Sequence, residues 1–285
     1  MKRLPKVLAL TAAVLATASA HALPTIVTDW SYSLTTSWTA ATSEDPTTLS
    51  GVGTKQLKWG TISPLSTNGL QSALTIGPDQ GPSGEVPTFI GSPAQAQLNP
   101  GFWADGNSLT HSNNVIRPGG SLLTAQLSST LNMVALNPST PGLPGDIMPP
   151  LQIDIKFKET PNSGTCAVTP FEAKCPDIFT FAGESLNTSF WYDVDGSGAQ
   201  QYFVSIFPST GGVLGVLPPN VCAAAGEAAG CIGFTTEENK ENTLQFAFTV
   251  STQQRQDIPE PASLALVGLA LLGVGVARRQ STRKA

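Results

Sequence analysis

The side chains able to do chemistry are few, and most are carboxylates. Histidine occurs only at His21 and His111, against 20 Asp and Glu and 4 Cys. His21 sits in Ala20-His21-Ala22, a small-residue cleavage pattern closing an apolar run that follows Lys2, Arg3 and Lys6. That segment reads as a removable leader, which leaves His111 as the single imidazole of the mature chain. A Ser-His-Asp hydrolase would have to use it, yet no Gly-x-Ser-x-Gly elbow is present. Zinc hydrolysis is not expected of a chain with one histidine and its cysteines paired. A glycosidase needs only two carboxylates, but no pair stands out by spacing. No catalytic residue, cofactor or resident metal is therefore expected, and the chain reads as non-enzymatic. Asp193-Val194-Asp195-Gly196-Ser197-Gly198 is the best small-ion candidate, with two carboxylates before a glycine turn. It lacks the further oxygen ligands and distal Glu of an EF-hand loop. Alternating runs flank it, so a hairpin turn is the plainer reading.

The cysteines lie at two equal spacings, Cys166 with Cys175 and Cys222 with Cys231. An even number in an exported chain reads as disulfides, with three connectivities open. The matched spacing favours the local pairs Cys166–Cys175 and Cys222–Cys231. A metal site would need closer cysteines and usually histidine.

The elements that must position these groups are strands. Trp30, Tyr32, Leu34 and Trp38 share one face, opposite Asp29, Ser31, Ser33 and Ser37. Ile153, Ile155 and Phe157 alternate with polar residues, as do Phe190, Tyr192 and Val194, then Tyr202, Val204 and Ile206, then Leu244, Phe246, Phe248 and Val250. A period of two marks half-buried strands, and no segment shows a capped helical period. The expected fold is all-β, a single antiparallel sandwich or jelly roll over residues 23–258. Residues 75–100, rich in Pro, Gly and Gln, read as a long loop. Aromatics at alternating positions are core candidates, although exposed Trp38, Trp59, Trp103 or Tyr192 would suit a carbohydrate-binding or adhesion module.

The two ends differ from the middle. Lys2, Arg3 and Lys6 precede an apolar run that closes on Ala20-His21-Ala22, the pattern of a signal peptide over 1–22. At the other end Pro259-Glu260-Pro261 precedes 16 apolar residues (262–277) and then Arg278-Arg279. As a helix that run would reach roughly 24 Å, slightly short of a bilayer core of about 30 Å. Local thinning and arginine snorkelling would still let it span, holding the chain in the inner membrane with the basic tail cytoplasmic. The whole chain carries −5; residues 23–258 keep 8 of the 15 basic and 19 of the 20 acidic residues, a net of −11. So acidic a surface excludes a nucleic-acid partner.

This tail resembles the PEP-CTERM sorting signal of Gram-negative bacteria over 259–285: a Pro-Glu-Pro, a short glycine-rich hydrophobic helix and an arginine cluster. The resemblance implies an exosortase partner that recognises Pro259, Glu260 and Pro261, cuts the tail and passes the protein to the surface. Between the ends, Leu109-Thr110-His111-Ser112-Asn113-Asn114 resembles the signature of THxN-type PEP-CTERM proteins. So do Leu57-Lys58-Trp59-Gly60, Gln71-Ser72-Ala73-Leu74, Phe157-Lys158-Glu159-Thr160-Pro161-Asn162, Cys175-Pro176-Asp177-Ile178-Phe179 and Phe234-Thr235-Thr236-Glu237-Glu238. The resemblance implies an exported component of the cell envelope or biofilm matrix, with extracellular polysaccharide as a possible partner, and it supplies no chemistry. On a strand, Thr110 and Ser112 would face away from His111 and Asn113. The plainer role for Thr110, His111 and Asn113 is hydrogen bonding to backbone at a turn or strand end.

Overall fold

Two-residue alternation turns into strand pairing along most of the chain. A computed structural model describes residues 23–139, 148, 150–160, 175–182, 186–210 and 214–254. The expected leader (1–22), Cys166 and the tail with Pro259, Glu260, Pro261, Arg278 and Arg279 lie outside the described residues, as does the apolar run 262–277. Among the described residues no helix is long and apolar enough to cross a membrane.

The longest pair is β1 (Asp29–Ser43) with β6 (Leu122–Asn137), antiparallel and in register at Trp30↔Ala135, Leu34↔Leu131 and Trp38↔Leu127. The alternating apolar positions of the pair turn inward, because side chains two apart share a face, while Val134 and Leu136 on the other parity of β6, and Leu123 at its start, are exposed. Beyond β6 the sheet continues through β7 (Leu151–Lys158), β8 (Asp177–Phe181), β12 (Ile232–Thr236) and β11 (Gly215–Val216). On the other side of β1 come β4 (Gln80–Phe89), β13 (Lys240–Ser251), β5 (Ala104–Asn113), β3 (Ser72–Ile76) and β2 (Gln56–Trp59). A hairpin of β9 (Asn187–Tyr192) and β10 (Gln200–Thr210) joins through β10 to β13. The fold is all-β, as expected. The β13–β4 pairing is parallel, at Val250↔Thr88 and Ser251↔Phe89, which makes the sheet mixed.

The reading of residues 75–100 as a loop is overturned. β4 runs through that stretch and pairs with β1 at Trp30↔Val86 and Ser31↔Glu85. Its prolines, Pro82 and Pro87, argue against a central strand, since proline gives no amide to the ladder. They are tolerated because β13 pairs only with the far end of β4, so most of the strand has one partner. α1 (Pro93–Gln97) occupies the remainder.

The sheet folds back so that strands distant in its order meet across one interior. Trp59 of β2 lies edge-on to Phe157 of β7, with ring centroids 5.5 Å apart. In a second cluster Trp30 is enclosed by Phe190, Tyr192 and Tyr202 at 5.1–5.5 Å, all edge contacts, and its Nε1 donates to Thr88 Oγ1 at 2.9 Å. This removes three of the four expected sugar platforms: Trp38, Trp59 and Tyr192 are buried. Trp103 is half-buried against Phe207. The exposed tryptophan is instead Trp191, at 59%. Asp193–Gly198 forms the β9–β10 turn. There Asp193 Oδ1 accepts from Gly196 N at 2.7 Å and Asp195 Oδ1 from Ser197 N at 2.9 Å, so both carboxylates hold the turn. Cys222 of α2 (Pro219–Ala224) is disulfide-bonded to Cys231, just before β12. Cys175 is also disulfide-bonded.

Trp30 and Trp191 should therefore respond differently to truncation. Trp30→Ala is expected to lower unfolding stability by about 3–5 kcal/mol, and Trp191→Ala by no more than about 0.5 kcal/mol. Urea denaturation of both variants checks this.

Candidate functional site

Strand parity sets which polar groups enter the interior. On β5, His111 and Asn113 follow Leu109 inward, whereas Thr110 and Ser112 point out. Thr110 Oγ1 pairs with Thr243 Oγ1 at 2.8 Å, and Ser112 Oγ donates to Glu241 Oε1 at 3.0 Å. The motif is thus split between two faces of a strand flanked on both sides, with His111 opposite Leu74 of β3 and Asn242 of β13. His111 sits within this ladder rather than at a turn.

The same parity continues past the strand ends. Glu159 extends the series Ile153, Ile155, Phe157 of β7. Asp177 opens Phe179 and Phe181 of β8, and Glu238 extends Phe234 and Thr236 of β12. Antiparallel order brings these ends to one place, since Thr236 pairs directly with Asp177. Oxygens of Glu159, Asp177 and Glu238 lie within 4.8 Å of one another. Asp177 and Glu238 are buried, and Glu159 is largely so.

His111 forms one wall. Its ring stacks on Trp59 at 5.6 Å and 7°, and meets Phe179 edge-on at 4.7 Å. Gly60 lets the chain leave β2 behind Trp59: its φ is +81°, and a Cβ there would lie 2.6 Å from Ile116 Cδ1. His111 Nδ1 is hydrogen-bonded to Thr236 Oγ1 at 2.8 Å, while Asn113 Nδ2 donates to the Thr236 carbonyl at 3.4 Å. Asp177 Oδ1 accepts from Thr160 N at 2.9 Å, and Thr160 Oγ1 donates to the Cys175 carbonyl at 2.9 Å. Asn113 also hydrogen-bonds the Asp177 carboxyl.

Five of the segments that carry the THxN resemblance thus supply this one site, and Gln71-Ser72-Ala73-Leu74 pairs beside it. The expected residues His111 and Asn113 belong to it, and Thr110 does not. Glu159, Asp177 and Glu238 were not singled out by sequence. The signal that would have found them is a carboxylate at the apolar parity of three separate strands.

Burial sets the charge states. It pushes the His111 imidazole down to about 3, so the ring is neutral. It pushes Glu159 up to about 9, helped by the like charges of Asp177, Glu238 and Glu44. Asp177 rises to about 8 for the same first reason, with Glu238 adding to the rise. The hydrogen bonds from Thr160 and Asn113 oppose that rise without cancelling it. Glu159 and Asp177, beside Glu238, can keep their protons or share a cation.

Stability should therefore vary with pH. An unfolded chain releases the carboxyl protons near pH 4 (roughly), whereas the folded chain keeps them to about 8 and 9. Their contribution is full below about pH 4 and is lost as pH rises to 8–9. His111 acts oppositely: its contribution is full above about pH 6.5 and is lost as pH falls toward 3. Above about pH 6.5 only the carboxyls of this site act. In chelator-treated buffer the urea midpoint should fall from pH 6.5 to pH 8, and Glu159→Gln should flatten that fall. A midpoint that rises over this interval contradicts the assignment.

A family model for the PEP-CTERM protein-sorting motif matches residues 257–280. No curated protein matches the chain. The matched segment covers the expected Pro259, Glu260, Pro261, Arg278 and Arg279, and this motif implies export, exosortase processing and sorting to the cell surface.

Proposed function

We propose that the chain is a non-enzymatic, exported component of the cell envelope or exopolysaccharide matrix, built on a THxN-type, sandwich-like β domain. The observation that carries this reading is the sorting motif at 257–280, directly after a β domain whose last strand ends at Ser251. In this reading the signal peptide is removed after Ala22 and residues 262–277 hold the chain in the inner membrane. Exosortase then acts at Pro259-Glu260-Pro261. The inward orientation of His111, Asn113 and Asp177 supports a structural rather than a catalytic use of the polar cluster.

The alternative, a carbohydrate-binding or adhesion module, draws on one observation. Trp191 is exposed on β9, beside Gln201 of β10, and an exposed indole is a suitable platform for a sugar ring. Retention of the protein on a polysaccharide column, lost in Trp191→Ala, would favour this second reading.

The sorting step is tested by fractionation and intact mass. The wild-type protein should reach the surface with its mass reduced at both ends. The double variant Pro259→Ala, Glu260→Ala should keep its tail and stay with the inner membrane. Unchanged processing and display of the double variant would sink the exosortase assignment.

A further inference from the structure

We propose that Glu159, Asp177, Glu238 and Asn113 form an interior site for one divalent cation, and that Ca²⁺ is the ion it suits. This goes beyond the sorting reading and does not depend on the tail. The donors are hard oxygens. Ca²⁺ binds such oxygens at about 2.3–2.6 Å, so two ligands on opposite sides of the ion lie about 4.6–5.2 Å apart. The three carboxyls offer oxygens within 4.8 Å of one another, close enough for one ion to reach all three.

Asn113 points to a ligand independently of the acidic cluster. It is 1% exposed, and its amide reaches the Asp177 carboxyl and the Thr236 carbonyl. Yet its Oδ1 is buried with no hydrogen-bond partner among the described residues. An orphaned amide oxygen inside a protein is unfavourable by about 1–3 kcal/mol, and a cation beside Asp177 would satisfy it. Asp177 Oδ2 and Glu159 Oε2 are orphaned in the same way. The ion pairs among the described residues are Lys55–Asp79, Lys156–Glu227 and Lys240–Glu237, and none of them reaches Glu159 or Asp177.

The choice of ion follows from what surrounds the oxygens. Zinc favours thiolate and imidazole, but no cysteine is free, and the ligand atoms that cluster here come from Glu159, Asp177 and Glu238, not from His111. Mg²⁺ demands near-octahedral geometry at about 2.0–2.1 Å and keeps much of its water. The dry aromatic wall of Trp59, Phe157 and Phe179 supplies none. A bound Ca²⁺ would tie the ends of β5, β7 and β8 to the turn after β12.

The test uses the full-length chain in mild detergent, stripped with a chelator and titrated with CaCl₂ or MgCl₂. Calorimetry and thermal unfolding are read in parallel. The expected result is one Ca²⁺ per chain with Kd below about 1 mM, the weak end for extracellular calcium modules, and a raised Tm. Mg²⁺ should bind at least tenfold more weakly. Glu159→Gln and, independently, Glu238→Gln should each weaken Ca²⁺ binding at least tenfold. Glu159→Gln keeps the shape of the side chain and removes one buried carboxyl from the cluster, so it should not lower the metal-free Tm. Asp195→Asn, in the exposed β9–β10 turn, should bind as wild type. The proposal is overturned if wild type shows no Ca²⁺ heat or Tm rise up to about 10 mM, ten times that weak end. Binding that survives both Gln variants, or is lost in Asp195→Asn, would also overturn it.

Discussion

The hydrogen bond between His111 and Thr236 joins two parts of the sheet that are far apart in its strand order, and it is made inside the core. A buried imidazole there must be neutral, because no water reaches it to solvate a charge. Its ring then serves as an aromatic surface between Trp59 and Phe179 while its Nδ1 secures β12. The backbone carbonyl of Thr236 takes the Asn113 amide, and Asp177 lies opposite on β8. Moving His111 outward by one residue of register would send Asn113 out with it and would separate the groups that surround the carboxyls.

The two apolar clusters do different work around this centre. One, with Trp38, Trp59, Phe157, Phe179 and Phe234, forms the wall behind the polar site. The other, around Trp30, fastens the β9–β10 hairpin to β1 and β6. The interior is thus apolar over most of its length and polar at one end, where carboxylates meet. Burial makes that end sensitive to protons and to cations, because either can remove the repulsion among like charges. The β9–β10 turn shows the contrast: Asp193 and Asp195 face solvent and are occupied by backbone amides.

Address and architecture are written in separate parts of the chain. The sorting motif is a local pattern at 257–280, readable without any fold. The last described strand ends before it, at Ser251, with Thr252 N and Gln253 N bonded back to the carbonyls of Phe89 and Gly91. The acidic surface of the domain suits an exterior where divalent ions are available to screen it.

Sequence by itself determined the all-β class, the inward faces of β1, β7, β9, β10 and β13, and the tail, because period-two alternation and a short linear motif are local properties. It also set His111 and Asn113 on one face and Thr110 on the other, since parity along a strand needs no partner. Only the tertiary structure decided that Glu159, Asp177 and Glu238 meet, because each lies just beyond or at the end of a different strand and their approach follows from antiparallel pairing. It decided as well that residues 80–89 form a strand, despite Pro82 and Pro87, since β1 offers a ladder that propensity does not see. The exposure of the tryptophans was settled in the same way. Alternation says which residues share a face, but only the folding back of the sheet says which face is covered, and it covers Trp38 and Trp59 while leaving Trp191 in water.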